Sequence, residues 1–449
     1  MAAGDQLPST RELIARHGVS PVTVSRALAA LSAEGVLVTR PGSGTYVSER
    51  PPPQPSGNDL SWQTAALGDR TVDSASVEFL LQAEVPETVS LAGGYPHPDL
   101  LPTRALANAL ARAARRPDAA ARPPLEGLSA LRGWFARIAG GSVTAKDVLI
   151  TSGAQAALST AFRAIAPAGG TVLVESPTYI GALAVARSAR LRPVPVPVDQ
   201  AGVRPDLLAD AFAATGARVF CCQPTFQNPT GSILSAERRS AVLTVARDAG
   251  AFVIEDDFAR WLPHRTAAPA PLVTDDLDGH VIHIASLTKV TSPNLRIGAL
   301  VARGPVAERL RALRVVDDFF VPRPMQEAAL ELVSAPAWPR HLRTLSATLL
   351  ERRNALIDAL SRHIRDASLT QVPGGGLNLW LSLPGEIDDV ALAVQAREAG
   401  VLISPGRPYY AAEPPGPHIR LSFAGTPRTD QLDDGVRRLA RALDATLTR

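Results

Sequence analysis

The stretch His283-Ile-Ala-Ser-Leu-Thr-Lys-Val-Thr-Ser-Pro-Asn-Leu-Arg-Ile-Gly298 decides the reading of this chain. A short β-like run ends in hydroxyls at Ser286 and Thr288, Lys289 follows, and Arg296 stands seven residues further on. The lysine is conspicuous because the chain scarcely uses lysine: of 46 basic residues only Lys146 and Lys289 are lysines, and the other 44 are arginines. Arginine stays protonated, whereas a lysine amine can lose its proton and attack a carbonyl to form a Schiff base. Hydroxyl donors and a fork-shaped guanidinium around one amine suit an aldehyde that also carries a phosphate. Pyridoxal phosphate is such a molecule. Lys146 lies in the polar turn Gly-Ser-Val-Thr-Ala-Lys-Asp-Val and reads as a solvated loop residue.

At 449 residues the chain is expected to hold more than one domain, and its 46% hydrophobic content supplies a large core. It has no apolar run of about 18 residues, so a membrane span is not expected. The opening Met-Ala-Ala-Gly-Asp-Gln lacks the charged and apolar regions of a secretory signal. The two cysteines, Cys221 and Cys222, are adjacent, which gives neither a disulfide framework nor a metal-binding spacing. A cytoplasmic protein without a metal centre is the expectation. Net charge is only +3, and residues 1–50 hold five arginines against four acids, so DNA binding has to be argued from a motif.

Three segments are expected: residues 1–49, a Pro-rich linker over 50–74, and a large domain over 75–449. The linker begins Arg50-Pro-Pro-Pro-Gln-Pro-Ser-Gly-Asn-Asp, where stacked prolines favour polyproline II. Beyond it, β-rich runs alternate with helix-length segments: Val148–Ile150, Val172–Val174, Val219–Cys222, Phe252–Glu255, Val281–Ala285 and Ala299–Val301. That alternation predicts an α/β domain with a mainly parallel sheet. A long helical stretch over His341–Arg362 and a break at Gly374–Gly376 predict a smaller C-terminal α+β subdomain.

In the first block, Pro8-Ser-Thr-Arg-Glu-Leu-Ile-Ala-Arg-His-Gly18 reads as a helix capped by Ser9, with Glu12 completing a capping box and Gly18 ending it. A second helix follows, capped by Ser20, with Pro21 at its first position and Gly35 at its exit. Two capped helices and a short turn make a helix-turn-helix, and Val36-Leu-Val-Thr-Arg-Pro-Gly-Ser-Gly-Thr-Tyr-Val47 reads as a β-hairpin wing. Ser20, Thr23, Ser25 and Arg26, near the start of the second helix, are placed to meet phosphates and base edges in a major groove.

In the large domain, Thr151-Ser-Gly-Ala-Gln-Ala-Ala-Leu158 follows a strand and opens a helix, a ready phosphate seat. Tyr179, in Glu175-Ser-Pro-Thr-Tyr179, reads either as a ring stacked on a pyridine or as core. Asn228, in Gln223-Pro-Thr-Phe-Gln-Asn-Pro-Thr-Gly231, reads either as a donor to a phenolate oxygen or as ordinary turn chemistry. A carboxylate in Glu255-Asp-Asp257 either pairs with a protonated pyridine nitrogen or caps a helix.

The N-terminal block resembles the winged helix of GntR-family regulators, from Leu7-Pro-Ser-Thr-Arg-Glu-Leu through Ala33-Glu-Gly to Gly42-Ser-Gly-Thr-Tyr-Val. The order and spacing of the later motifs resemble fold-type I aminotransferases, and the whole chain resembles the MocR subgroup of GntR regulators. The resemblance implies that Lys289 forms the Schiff base with pyridoxal phosphate, Asp256 pairs with the pyridine nitrogen, Asn228 contacts the ring oxygen and Tyr179 stacks on the ring. It places the phosphate on Ser152, Gly153, Ala154 and Gln155, with Ser286, Thr288 and Arg296. It gives an amino-acid carboxylate to Arg420, in His-Ile-Arg-Leu-Ser-Phe, and the substrate side to Gly94, in Gly-Gly-Tyr-Pro. It further implies a homodimer whose active sites draw on both subunits.

The chain also departs from these patterns. The family's first helix, before Leu7-Pro8, is absent; truncation, a misplaced start and a compromised module are the three readings. Pro21 stands where many members carry a DNA-contacting arginine, leaving Arg11 and Arg26 as candidates. Phe258 replaces the subgroup's usual tyrosine, and Arg122 or a neighbour occupies the region of a tyrosine that reaches the partner's phosphate. The expected function is a regulator that binds a double-stranded DNA operator and senses an amino compound through Lys289. The alternative is a working aminotransferase with a vestigial DNA-binding module. A DNA binder that has lost its cofactor is disfavoured by the number of site residues present.

Overall fold

The computed structural model describes residues 3–33, 35–40, 43–48, 60, 62–67, 87–364 and 367–447. The chain divides into two units, Met1–Arg70 and Thr71–Arg449.

In the first unit, α1 (Thr10–His17) has the capping box expected from its sequence. Ser9 accepts from the Glu12 amide, the Glu12 carboxylate accepts from the Ser9 amide at 2.8 Å, and Gly18 ends the helix in the left-handed region. In α2 (Pro21–Ala33), Ser20 Oγ accepts from the Thr23 amide at 3.2 Å. β1 (Leu37–Arg40) pairs antiparallel with β2 (Gly44–Val47) to form the wing. Glu34, Pro41, Gly42 and the prolines of the linker lie outside the described residues. Within the stretch read as linker there is a helix, Trp62–Leu67. The prolines stop at Pro55, and Trp-Gln-Thr-Ala-Ala-Leu contains nothing that breaks a helix.

The second unit holds, in chain order, β3 (Val89–Ser90), β4 (Val148–Thr151), β5 (Thr171–Ser176), β6 (Arg192–Asp199), β7 (Gly202–Val203), β8 (Val219–Cys222), β9 (Phe252–Asp257), β10 (Val281–Ser286) and β11 (Gly298–Val301). Eight of these form one sheet in the order β4-β11-β10-β9-β8-β5-β6-β7. β10, β9, β8, β5 and β6 run parallel. β11 is antiparallel to both of its neighbours, so β4 points the same way as β10. Alternate residues of these strands enter two separate cores: Val172, Val174, Ile254, Ile282 and Ile284 on one face, and Leu173, Phe220, Val253 and Val281 on the other. Burial on both faces is why these strands read as continuous apolar runs.

β6 is the long strand absent from the sequence reading. Its run Arg-Pro-Val-Pro-Val-Pro-Val-Asp places Pro193, Pro195 and Pro197 on alternate positions. The Arg192 amide donates to Gly170 O at 2.9 Å on the β5 side. The prolines therefore face the open edge, where a missing N–H costs nothing.

After the helix Trp338–His363, β12 (Ser368–Leu369), β13 (Asn378–Ser382), β15 (Ser404–Pro405) and β16 (His418–Ser422) build an antiparallel sheet in the order β12-β13-β16-β15. β14 (Val401–Leu402) pairs with β3 in a separate two-stranded ladder. This is the expected C-terminal α+β portion.

Candidate functional site

Because β4, β5, β8, β9 and β10 point the same way, their carboxyl ends share one edge of the sheet, where open α/β sheets bind ligands. Each sequence motif follows one of these ends. Ala154 and Gln155, Tyr179, Asn228, Asp256, Ser286, Thr288, Lys289 and Arg296 line a single cavity of about 680 Å³. Gly94 and Arg420 join them from distant parts of the chain.

The Lys289 amine donates to Gly94 O at 2.6 Å and stands 3.5 Å from the centre of the Tyr95 ring. Burial, with help from the Arg420 charge, pulls its pKa from 10.5 down to about 7, and Asp256 opposes that shift. Much of the amine is therefore neutral near neutral pH, the form that attacks a carbonyl. Between about 7 and 10.5 the unfolded chain binds a proton here that the folded chain does not. Stability of the cofactor-free protein from this group therefore rises with pH across that window. Lys289→Met should flatten the rise in denaturant titrations; a rise that survives the substitution contradicts the assignment.

Asp256 is buried, and its Oδ2 accepts from Gln223 Nε2 at 2.7 Å. Burial pushes its pKa up to about 6, against the Gln223 bond that lowers it. Its Oδ1 has no hydrogen-bond partner among the described residues. Behind it, His283 Nδ1 lies 2.9 Å from Glu255 Oε2, and Arg260 pairs with Asp257. Asn228 Oδ1 accepts from Arg420 Nη1 at 3.2 Å, which leaves its amide nitrogen as the donor for a ligand. Tyr179 O–H donates to Gln155 at 3.3 Å, and burial raises its pKa. Phe258 lines the cavity and adds no polar group.

The phosphate end is built around Gly153, which precedes the helix Ala154–Ile165 at φ 88°. A Cβ there would stand 2.8 Å from Arg296 Nη2, so only glycine lets the guanidinium reach this turn, where it donates to Ser152 O at 3.0 Å. Gly153→Ala should therefore displace Arg296 and weaken pyridoxal phosphate binding by about tenfold or more, given the value of a charge-assisted bond. Equilibrium dialysis checks this, and unchanged affinity would contradict it. The Ser152 hydroxyl departs from the expected arrangement: it donates to Asp318 at 2.9 Å, so its side chain is engaged away from the cavity. Ser286 Oγ donates to Thr288 Oγ1 at 3.0 Å and accepts from the Thr288 amide, so the two hydroxyls hold the turn before Lys289.

A neutralisable amine, a free buried carboxylate oxygen, an amide donor and an arginine-lined helix start match the aldehyde, ring nitrogen, ring oxygen and phosphate of pyridoxal phosphate. On this donor set the residues fit the group. Arg420 completes the opposite side. It donates to Ala92 O at 2.6 Å, lies 5.4 Å from the centre of the Tyr409 ring, and keeps a buried Nε without a partner among the described residues. Arg122 is exposed and does not line this cavity.

In the N-terminal unit, Arg11, Ser20, Thr23, Ser25 and Arg26 are all exposed. The Ser20 and Thr23 hydroxyls lie 2.8 Å apart, so they serve the cap of α2 as well as any groove contact. Sequence reasoning placed Gly94 at the site but missed Gln223, Tyr95 and Ala92. Gln223 opens the turn-rich segment after β8 and Tyr95 stands in the Gly-Gly-Tyr-Pro motif, so both carried a signal; Ala92 is brought to the site only by tertiary structure.

Two families match the chain. Residues 90–439 match "Aminotransferase class I and II", and residues 1–47 match "Bacterial regulatory proteins, gntR family". An HTH-type transcriptional regulator of Bacillus subtilis (strain 168), YdfD, is 29% identical over 94% of this chain and 88% of its own length. The 2-aminoadipate transaminase of Thermus thermophilus is 31% identical over 86% of this chain and 98% of its own. The crystal structure of LysN, an alpha-aminoadipate aminotransferase from the same organism complexed with N-(5'-phosphopyridoxyl)-L-leucine, superimposes with a TM-score of 0.80 at 30% identity, covering 87% of this chain and 100% of that one. No helix among the described residues is long and apolar enough to cross a membrane.

Proposed function

We propose, for a chain that belongs to the aminotransferase class I and II family and has the MocR-type architecture, that it is a pyridoxal-phosphate-dependent transcriptional regulator which senses an amino compound. We place it in the cytoplasm, acting as a homodimer on a double-stranded DNA operator. The bound cofactor supplies a carbonyl that exchanges amines and a ring that withdraws electrons. The chain's residues supply the rest: Lys289 the amine, Asp256 the acceptor at the ring nitrogen, Asn228 the donor at the ring oxygen, Arg296 and the start of the helix Ala154–Ile165 the phosphate seat, and Arg420 the grip on a carboxylate.

One observation carries the sensing role. Lys289 donates to Gly94 O at 2.6 Å and Arg420 donates to Ala92 O at 2.6 Å. Lys289 and Arg420 are thus both tied to one stretch, residues 92–94. A ligand carboxylate that engages Arg420 competes with Ala92 O, and an amino compound that takes the place of Lys289 on the cofactor returns that amine to Gly94 O, so ligand affinity depends on how this stretch is held. The test is selection of bound sequences from random double-stranded DNA by the full-length, cofactor-loaded protein, followed by titration with a panel of amino compounds. The proposal predicts that at least one compound shifts DNA affinity. DNA affinity indifferent to the whole panel, alongside rapid amino-group transfer to a keto acid, would instead establish the aminotransferase reading. That reading draws on the Lys289 amine near pKa 7 and on the transaminase relative.

A further inference from the structure

We propose that Gln223 is the positioning residue of the cofactor ring: one buried side chain orients both the acid offered to the ring nitrogen and the amide offered to the ring oxygen. The proposal rests on the reading of the cavity as a pyridoxal phosphate site.

Gln223 directly follows β8 and is 3% exposed. Its two side-chain atoms are spent on two different site residues. Nε2 donates to Asp256 Oδ2 at 2.7 Å, and Oε1 accepts from the Asn228 amide at 3.0 Å. Its own backbone N–H donates to the buried Glu175 Oε2 at 3.0 Å, which fixes where the side chain starts. Pinning Oδ2 sets the rotation of the Asp256 carboxylate and leaves Oδ1 as its open acceptor. Pinning the Asn228 backbone sets where that amide side chain begins, while Arg420 takes its oxygen. Gln223 therefore links the residue offered to the ring nitrogen with the residue offered to the ring oxygen.

The charge balance around Asp256 makes the donor arm consequential. Facing it are Glu175 on β5, Asp257 beside it on β9, Cys221 on β8, Tyr179, His283 on β10 and Lys289. Burial and Asp257 favour its protonated form; the Gln223 bond is the largest effect favouring the carboxylate. Without that bond the Asp256 anion is less stabilised, and the proton shared with a ring nitrogen moves toward the acid.

Full-length protein loaded with pyridoxal phosphate carrying 15N in the ring tests this by NMR across a pH series. Wild type should show a protonated ring nitrogen at neutral pH. In Gln223→Leu, which removes both arms, the midpoint of ring deprotonation should fall by about one pH unit, a tenfold redistribution of the proton. Gln223→Glu keeps an acceptor for the Asn228 amide but sets a second carboxylate against Asp256, so it should move the same midpoint while holding the cofactor more tightly than the Leu variant. If the Leu variant does not fold, the Glu variant decides alone. An unmoved ring signal in a variant that retains cofactor would reduce Gln223 to packing and overturn the proposal. Failure of the wild type to take up pyridoxal phosphate would overturn the site reading itself, a separate result visible before any variant is made.

Discussion

Lys289→Ala should abolish the visible absorbance that pyridoxal phosphate gains on a lysine amine, and with it the part of the response to amino compounds that runs through that bond. The expectation is complete loss, because no second lysine lines the cavity: the chain has only two lysines, and Lys146 lies before β4, outside the residues that line the site. Lys146→Ala is thus the matched control and should leave the spectrum intact. Arginine at position 289 should not rescue, since a guanidinium keeps its proton and cannot attack a carbonyl. The neutral amine that burial secures, with a pKa near 7, is the property lost. DNA binding in the absence of an effector should survive, because α1, α2 and the wing belong to the other unit. Absorbance that persists in Lys289→Ala removes the assignment.

What could be read in the sequence was mostly local. The Ser9–Glu12 capping box, the left-handed Gly18 and Pro21 at the head of α2 each follow from a few adjacent residues, and all three are present. The strands of the large sheet were legible because burial on both faces leaves them uniformly apolar. β6 was not, because alternating prolines look like a broken strand until its open edge is known. Within the site, glycine at 153 was legible as a turn before a helix, but its contact with Arg296 depends on two segments 143 residues apart meeting. The Ser152 hydroxyl was misdirected for the same reason: Asp318, which captures it, is 166 positions away. Gln223 stood in a quoted motif, yet its task is set by Asp256 on the neighbouring strand, which periodicity cannot reveal.

Arg420→Leu should weaken binding of an α-amino acid by about 2–5 kcal/mol, roughly thirtyfold or more, the usual cost of losing one partner of a buried charge pair. An amine of the same skeleton without the carboxylate should bind the variant and the wild type nearly alike, and that contrast isolates the carboxylate. Arg420→Lys should not restore affinity: an ammonium is a point charge without a planar fork, and it cannot reproduce the bonds to Asn228 Oδ1 and Ala92 O that aim the guanidinium. Those bonds also give the variant a second effect. Ala92 O loses its donor, so the stretch that Lys289 and Arg420 hold is released on one side before any ligand arrives. If that stretch carries the response, ligand-free Arg420→Leu protein should already lean toward the DNA affinity that wild type reaches only with effector. Parallel titrations of an amino acid, its decarboxylated amine and the selected DNA measure both effects. Equal loss for the two ligands would remove Arg420 from carboxylate recognition, and an unchanged ligand-free DNA affinity would remove Ala92 from the relay.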